Sequence, residues 1–259
     1  MIADLKASRE LAWRLFVRDV SAQYRQSLFG ILWAFAPPIV TSAVFILLQS
    51  RNVVSFGSKN IPYPLFVLVG TILWQLFTDS LNAPLKSVTA AKPLLVRVNF
   101  PREALIVSAF YMVVFGLMIK LIVLAAVFFI FKVPLSGGLL LAPLAMLMLI
   151  LLGLCLGLLI TPLGMLYTDI STSLPIVIQL FFFVTPVVYE TPSTFPFSLI
   201  GIFNPVSPLL VTARDLITLG SASNLIPFLV VSGLSIVFLL IAWVVYRVAL
   251  PIIIERMSA

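Results

Sequence analysis

The chain has 259 residues, of which 62% are hydrophobic and only 10% charged, where a soluble globular domain carries about 25% charged residues. One soluble core of this size cannot conceal that much apolar surface, so lipid is its natural solvent. The net charge of +7 sits at the ends of apolar runs, which argues for membrane orientation and against a solvated nucleic-acid-binding face. The lone cysteine, Cys155, excludes an intrachain disulfide.

The N-terminal segment carries Lys6, Arg9, Arg14, Arg18 and Arg25, and the first long apolar run begins only near Ile31. That is too late and too long for a cleaved signal peptide. Between Ala7 and Leu28, Trp13, Phe16, Val17, Val20 and Tyr24 recur at helical spacing, with Arg14, Arg18 and Arg25 on a separate stripe. Such a helix suits the membrane interface, aromatics toward acyl chains and arginines toward headgroups.

A helical span needs about 20 mostly apolar residues. Six candidates follow: Ile31–Gln49, Pro62–Leu81, Ala104–Phe131, Leu139–Leu163, Ser173–Val188 and Leu225–Val248. The runs do not alternate with period two, so strands are a poor reading. The expected architecture is an all-α integral membrane fold of six transmembrane helices. It divides as an interface helix at 1–30, spans one to five at 31–188, an outer hairpin at 189–224, and span six with a tail at 225–259. The whole, 1–259, reads as a single membrane-spanning domain.

Six spans put both termini on one side. That side holds the N-terminal basic residues, Lys86, Lys92, Arg97 and Arg102 after span two, and Arg247 and Arg256 near the C-terminus. The other side holds Arg51, Lys59, Lys132 and Arg214. The richer side is cytoplasmic by the positive-inside tendency.

Between Lys86 and Glu103, Leu94, Leu95 and Val98 give an apolar edge flanked by Lys92, Arg97 and Arg102. With Pro93 in a first turn and Pro101 as a stop, the stretch predicts a short separate helix suited to docking on a partner. The 189–224 stretch is apolar at Phe195, Phe197, Leu199, Ile200, Ile202 and Phe203, yet broken by Pro192, Pro196, Gly201, Pro205 and Pro208. It predicts a re-entrant or interfacial helical hairpin.

Much chemistry is missing. There is no histidine and no G-x-x-x-x-G-K-[ST] phosphate loop, and no two acidic residues make an i, i+3 or i, i+4 pair. His-based triads and metalloprotease motifs are excluded, and no catalytic or metal-ligating set stands out. Two charges fall within spans, Asp79 near the inner end of span two and Lys120 deep in span three. Their expected depths differ by roughly 20 Å at 1.5 Å per residue, so they are not expected to pair.

The run from Arg18 to Trp33, with Pro37-Pro38 after it, resembles the start of the type-2 ABC exporter permeases for cell-surface polysaccharides such as O-antigen and teichoic acid. Further motifs agree in order: Pro62-Tyr63-Pro64 with Gly70 and Trp74; Val98 to Glu103; Gln179 to Tyr189, with Thr185-Pro186-Val187; and Asn204-Pro205 followed by Arg214-Asp215 and Gly220. One departure is Tyr167-Thr168-Asp169, where the family often has an arginine directly before the aspartate.

The resemblance implies a homodimeric permease in the cytoplasmic (inner) membrane, joined to two copies of a separate ABC ATPase that binds ATP and Mg. It implies export of a lipid-linked polysaccharide, and no cofactor or enzymatic activity in this chain. It implies an interface helix (Trp13, Arg14, Phe16, Arg18, Tyr24 and Arg25), an ATPase-coupling loop (Lys92, Leu94, Leu95, Arg97 and Arg102) and an outer gate (Asn204, Pro205, Arg214 and Asp215). Sugar rings offer apolar C–H faces that pack on aromatics, which makes Phe181, Phe182, Phe183, Trp74, Phe77, Phe110 and Tyr111 candidate channel residues. The rival readings are an ATPase-independent channel or secondary transporter, and a membrane enzyme acting on a lipid-linked sugar.

Overall fold

The computed structural model describes residues 2–25, 29–51, 61–97, 101, 103–133, 136–191 and 198–258. All regular structure among them is helical: α1 Ile2–Tyr24, α2 Ala36–Ser50, α3 Tyr63–Arg97, α4 Glu103–Phe131, α5 Ala142–Leu166, α6 Thr168–Val184, α7 Leu199–Phe203, α8 Val206–Thr218 and α9 Leu225–Ser258, with 3₁₀ turns at Gly30–Ala34 and Gly137–Leu140. Among the described residues, five stretches are long and apolar enough to cross a membrane: Leu32–Ser50, Tyr63–Leu95, Glu103–Phe131, Ala142–Leu166 and Leu225–Ile253. The expected fifth span corresponds to α6, which has 17 residues and starts five residues earlier than the sequence suggested.

Lipid tails are as apolar as leucine, so helices in a membrane associate through close packing rather than hydrophobic exclusion. The central pair, α3 and α5, follows that rule. On α5, Gly153 and Gly157 lie one turn apart, and a Cβ at either would stand 2.7 Å from the Phe77 carbonyl oxygen or 2.3 Å from that of Leu81. Backbone therefore meets backbone along this seam. Around it, α3, α5 and α8 contribute Phe77, Leu73, Leu149, Ile150, Leu209 and Leu210 to the larger core. A second core, at the other end of the bundle, gathers Ala12 and Leu15 of α1, Val88 and Leu95 of α3, Leu105 of α4, Leu158 of α5, and Tyr246 and Leu250 of α9. Arg247 of α9 bridges to Glu103 of α4 at 3.3 Å. The N-terminal helix and the C-terminal part of α9 thus share the basic end of the bundle.

One expectation needs correction here. The second span does not stop near Leu81: α3 runs 35 residues to Arg97, with Pro84 and Pro93 inside it. That is about 52 Å of helix, well beyond a hydrocarbon core of about 30 Å. The stretch from Lys86 to Arg97 is therefore the continuation of span two and not a separate short helix; Val98, Asn99, Phe100 and Arg102 lie outside the described residues. Pro84 and Pro93 fail to end the helix because the segment is clamped by packing: Leu81 and Leu85 against α5, and Val88, Ala91 and Leu95 in the second core.

The hairpin expected at 189–224 lies only partly within the described residues. Its described part holds α7 and α8, and every residue of α8 except Asp215 is buried. Pro192, Phe195, Pro196 and Phe197 lie outside the described residues.

Candidate functional site

A cavity of about 740 Å³ opens among the end of α1, the Gly30–Ala34 turn, α2, α3 and α4. One face of α3 supplies Gln75, Thr78, Asp79, Ala83, Lys86 and Ala90. These recur at helical spacing and form a polar and small-residue stripe. Asp19, Gln23 and Tyr24 of α1, Trp33 of the 3₁₀ turn, and Phe115, Gly116 and Lys120 of α4 complete the wall. Asp19 is held by Arg18 at 2.7 Å. Burial first, and then the nearby Asp79 carboxylate, push the Tyr24 phenol above its ordinary range.

At the centre Lys120 Nζ donates to Asp79 Oδ2 at 2.6 Å. This overturns the expectation that the two charges lie at different depths. With α3 extended to Arg97, Asp79 is 18 residues from the basic end of its helix and Lys120 is 17 from Glu103. Both distances are about 26 Å at 1.5 Å per residue, so the charges meet. A charge within a span is a functional candidate by default, and its partner is the first thing to name.

The aromatic candidates do not form one lining. Trp74 contacts Phe77 at 5.5 Å, Phe181 at 6.0 Å and Phe182 at 5.7 Å between ring centroids. Trp74 and Phe77 are buried, so in this arrangement they are core residues rather than a sugar-facing wall. Phe183 and Phe110 are exposed. Tyr111 instead packs on the N-terminal helix, 6.1 Å from Trp13 and 6.0 Å from Phe16. The cavity's own aromatics are Tyr24, Trp33 and Phe115.

In α1, Phe16 also meets Phe115 at 6.0 Å and Tyr24 meets it at 6.3 Å, so these two rings of the stripe pack on α4, while Val17 is exposed. Trp13 remains more than half exposed, Arg14 bonds to Glu10 at 2.7 Å, and Arg25 is exposed. At the basic end of α3, Lys92 and Leu94 are exposed whereas Leu95 is buried. The side chains of Arg97 and Arg102 lie outside the described residues.

At the opposite end, motifs far apart in the chain converge on one lock. Asn204 donates to Thr185 Oγ1 at 2.9 Å and accepts from the Val206 amide at 2.9 Å. Pro205 caps the start of α8. The Arg214 guanidinium donates to the carbonyls of Pro186 at 3.1 Å and Val187 at 3.2 Å and lies 3.7 Å above the Phe66 ring. Burial lowers its pKa to about 10, against the attraction of Asp215 and Glu190. Burial likewise raises Asp215, while the bond donated by Ser223 and the Arg214 charge pull it back. Gly70 of α3 lies under the Val187 carbonyl, where a Cβ would stand 2.2 Å from the oxygen. Gly220, at φ +72°, abuts Ser136. Asn204 and Arg214, expected at an outer gate, are thus buried ties in this arrangement, and Ser207 is buried as well.

The fold defines a multi-pass helical membrane protein with a charged cavity and a tied far end. The sequence pattern of the ABC-2 type transporter family matches residues 10–218, and the chain belongs to that family. It is 24% identical over 243 residues to the O-antigen export system permease protein RfbA of Myxococcus xanthus, covering 92% of each chain. It is 25% identical over 202 residues to an RfbA permease of Klebsiella pneumoniae, covering 77% of this chain and 76% of that one. A second Klebsiella pneumoniae RfbA permease is 24% identical over 207 residues.

Sequence reasoning missed the Asp79–Lys120 pair and the Gly153/Gly157 seam. The seam was readable as Gly-x-x-x-Gly in an apolar run. The pair was hidden by the misplaced end of span two.

Proposed function

We propose that this chain is the permease subunit of an ATP-driven exporter that moves a lipid-linked, O-antigen-like or teichoic-acid-like polysaccharide across the cytoplasmic membrane. The observation that carries the reading is family membership together with likeness to three O-antigen export permeases over three-quarters or more of each chain. The sequence has no phosphate loop, so ATP and Mg belong to a separate ATPase, two copies of which serve a permease dimer. The basic end faces the cytoplasm with both termini. Lys92 and Leu94, exposed on α3, and the basic residues at 97 and 102 offer the ATPase its docking point. α1 lies at the cytoplasmic interface, α6 is a short fifth crossing, and α7–α8 cover the pore exit.

The test is complementation. In a bacterium deleted for its own polysaccharide-export permease and ATPase, this chain with a partner ABC ATPase restores surface polymer, and an ATPase unable to hydrolyse ATP does not. Restoration without any ATPase would establish the channel reading instead. Altered polymer chemistry without export would favour a membrane enzyme.

A further inference from the structure

The Asp79–Lys120 pair is lopsided: the Lys120 side chain is 8% exposed and that of Asp79 is 53% exposed. The cation is engaged behind the carboxylate, and the carboxylate faces the cavity. An ionised carboxylate has two oxygens and only accepts hydrogen bonds. Around Asp79 the cavity therefore offers an acceptor, while the exposed Lys86 stands seven residues, about 10 Å, further along the α3 wall at 1.5 Å per residue.

Gly116 keeps that acceptor open. A Cβ there would lie 3.7 Å from Lys120 Nζ and 3.9 Å from Asp79 Oδ2, so any long side chain at 116 would project over the pair. Gln75 lies one turn from Asp79 on the same wall, and the exposed Trp33 ring lines the cavity with them. A carboxylate, an amide and an open aromatic face suit a ligand with several hydroxyl donors and an apolar flank. Hydroxyls bond to the carboxylate and amide, while C–H groups lie on the ring, whose face carries partial negative charge. A phosphate at this position would instead meet the exposed Asp79 carboxylate, a like charge.

We infer that this cavity is a saccharide-binding site, in which Asp79, held by Lys120, accepts the hydroxyl hydrogens of an uncharged sugar unit resting on Trp33. The inference rests on the export reading and deepens it: it assigns recognition to a neutral sugar unit of the glycan rather than to an anionic linkage.

The experiment uses the full chain with its ATPase in lipid nanodiscs. Titrations employ neutral trisaccharides of mannose, galactose, glucose and rhamnose, with inorganic pyrophosphate as the anionic arm, read by calorimetry. At least one trisaccharide binds the parent, Asp79→Asn weakens it tenfold or more, and Gly116→Leu abolishes it with every charge retained. The double variant Asp79→Asn with Lys120→Met leaves no orphaned charge, so it folds if the single variant does not, and it too loses the sugar. The inference is overturned if no trisaccharide binds the parent, or if Gly116→Leu and the double variant stay within twofold of it. It is equally overturned if pyrophosphate binds more tightly than every sugar and Lys86→Gln removes it. Export by the parent is measured in parallel: export without sugar binding sinks the site alone, and sugar binding without export sinks the permease reading alone.

Discussion

Gly70→Ala is the sharpest perturbation of the lock at the far end of the bundle. The added methyl would stand 2.2 Å from the Val187 carbonyl oxygen, against 3.4 Å or more for ordinary contact. Val187 must therefore retreat from α3 by about 1 Å, the scale at which packed interiors resist. Arg214 cannot follow, because its guanidinium is stacked on Phe66, one turn from Gly70 on the same helix. Its bond to Val187, already 3.2 Å, then breaks. Overpacking costs about 1–3 kcal/mol, and losing a hydrogen bond to a charged group about 1.5–3 kcal/mol. Alanine's better helix propensity returns about 1 kcal/mol. The net expectation is a loss of roughly 2–5 kcal/mol by the same principles. SDS titration of purified protein in mixed micelles, followed by tryptophan fluorescence, measures it. Gly233→Ala is the control, since nothing lies within 4 Å of its Cβ position. Combined with Arg214→Met, Gly70→Ala should cost less than the sum of the two by about 1–2 kcal/mol, because both break one contact. If Gly70→Ala and Gly233→Ala behave alike, or the pair is strictly additive, the lock is not built as described.

Leu94→Ser, at an exposed position, should leave insertion and stability unchanged while weakening ATPase association and export. Leu95→Ser should instead destabilise by about 2 kcal/mol or more, as a buried apolar side chain becomes polar. Pull-down of the ATPase and SDS unfolding separate the two. Asp215 gives a pH signature. Its folded-state pKa is raised above the unfolded value of 3.8, so its contribution to stability is greatest below that value and is lost as pH rises through the folded pKa. SDS midpoints should fall across that window in the parent, and Asp215→Asn should flatten the slope. Finally, Arg247→Ala should cost only about 0.2–1 kcal/mol, and less at high salt, because the Arg247 side chain is 46% exposed.

Several elements were legible because their physics is one-dimensional. α4 begins within one residue of the expected start and ends where expected, since its apolar run is unbroken up to Phe131. α9 starts at the expected Leu225. The end of span two was not legible. Pro84, Lys86, Lys92 and Pro93 read locally as loop, and only contacts from α1, α4, α5 and α9 hold that stretch helical. The error spread, placing Asp79 at the wrong depth and concealing its pairing with Lys120. Arg214 was readable as a notable charge but not as a buried one. Its partners are backbone carbonyls 27 and 28 residues away, which no side-chain pattern announces. The cavity was invisible for a related reason: it is a gap among four helices, and the residues that make it a gap, Gly116, Ala83 and Ala90, say little by themselves.

The most direct measurement is reconstitution. The purified chain and a partner ABC ATPase are placed in liposomes carrying radiolabelled lipid-linked glycan on the ATPase-facing leaflet, and label becoming inaccessible to an external glycosidase is followed with and without ATP. An ATP-driven permease gives ATP-dependent protection that disappears when the ATPase cannot hydrolyse ATP or when the permease is omitted. Protection that proceeds equally without ATP, or none at all from a chain that binds its ATPase and drives hydrolysis, would contradict the export reading.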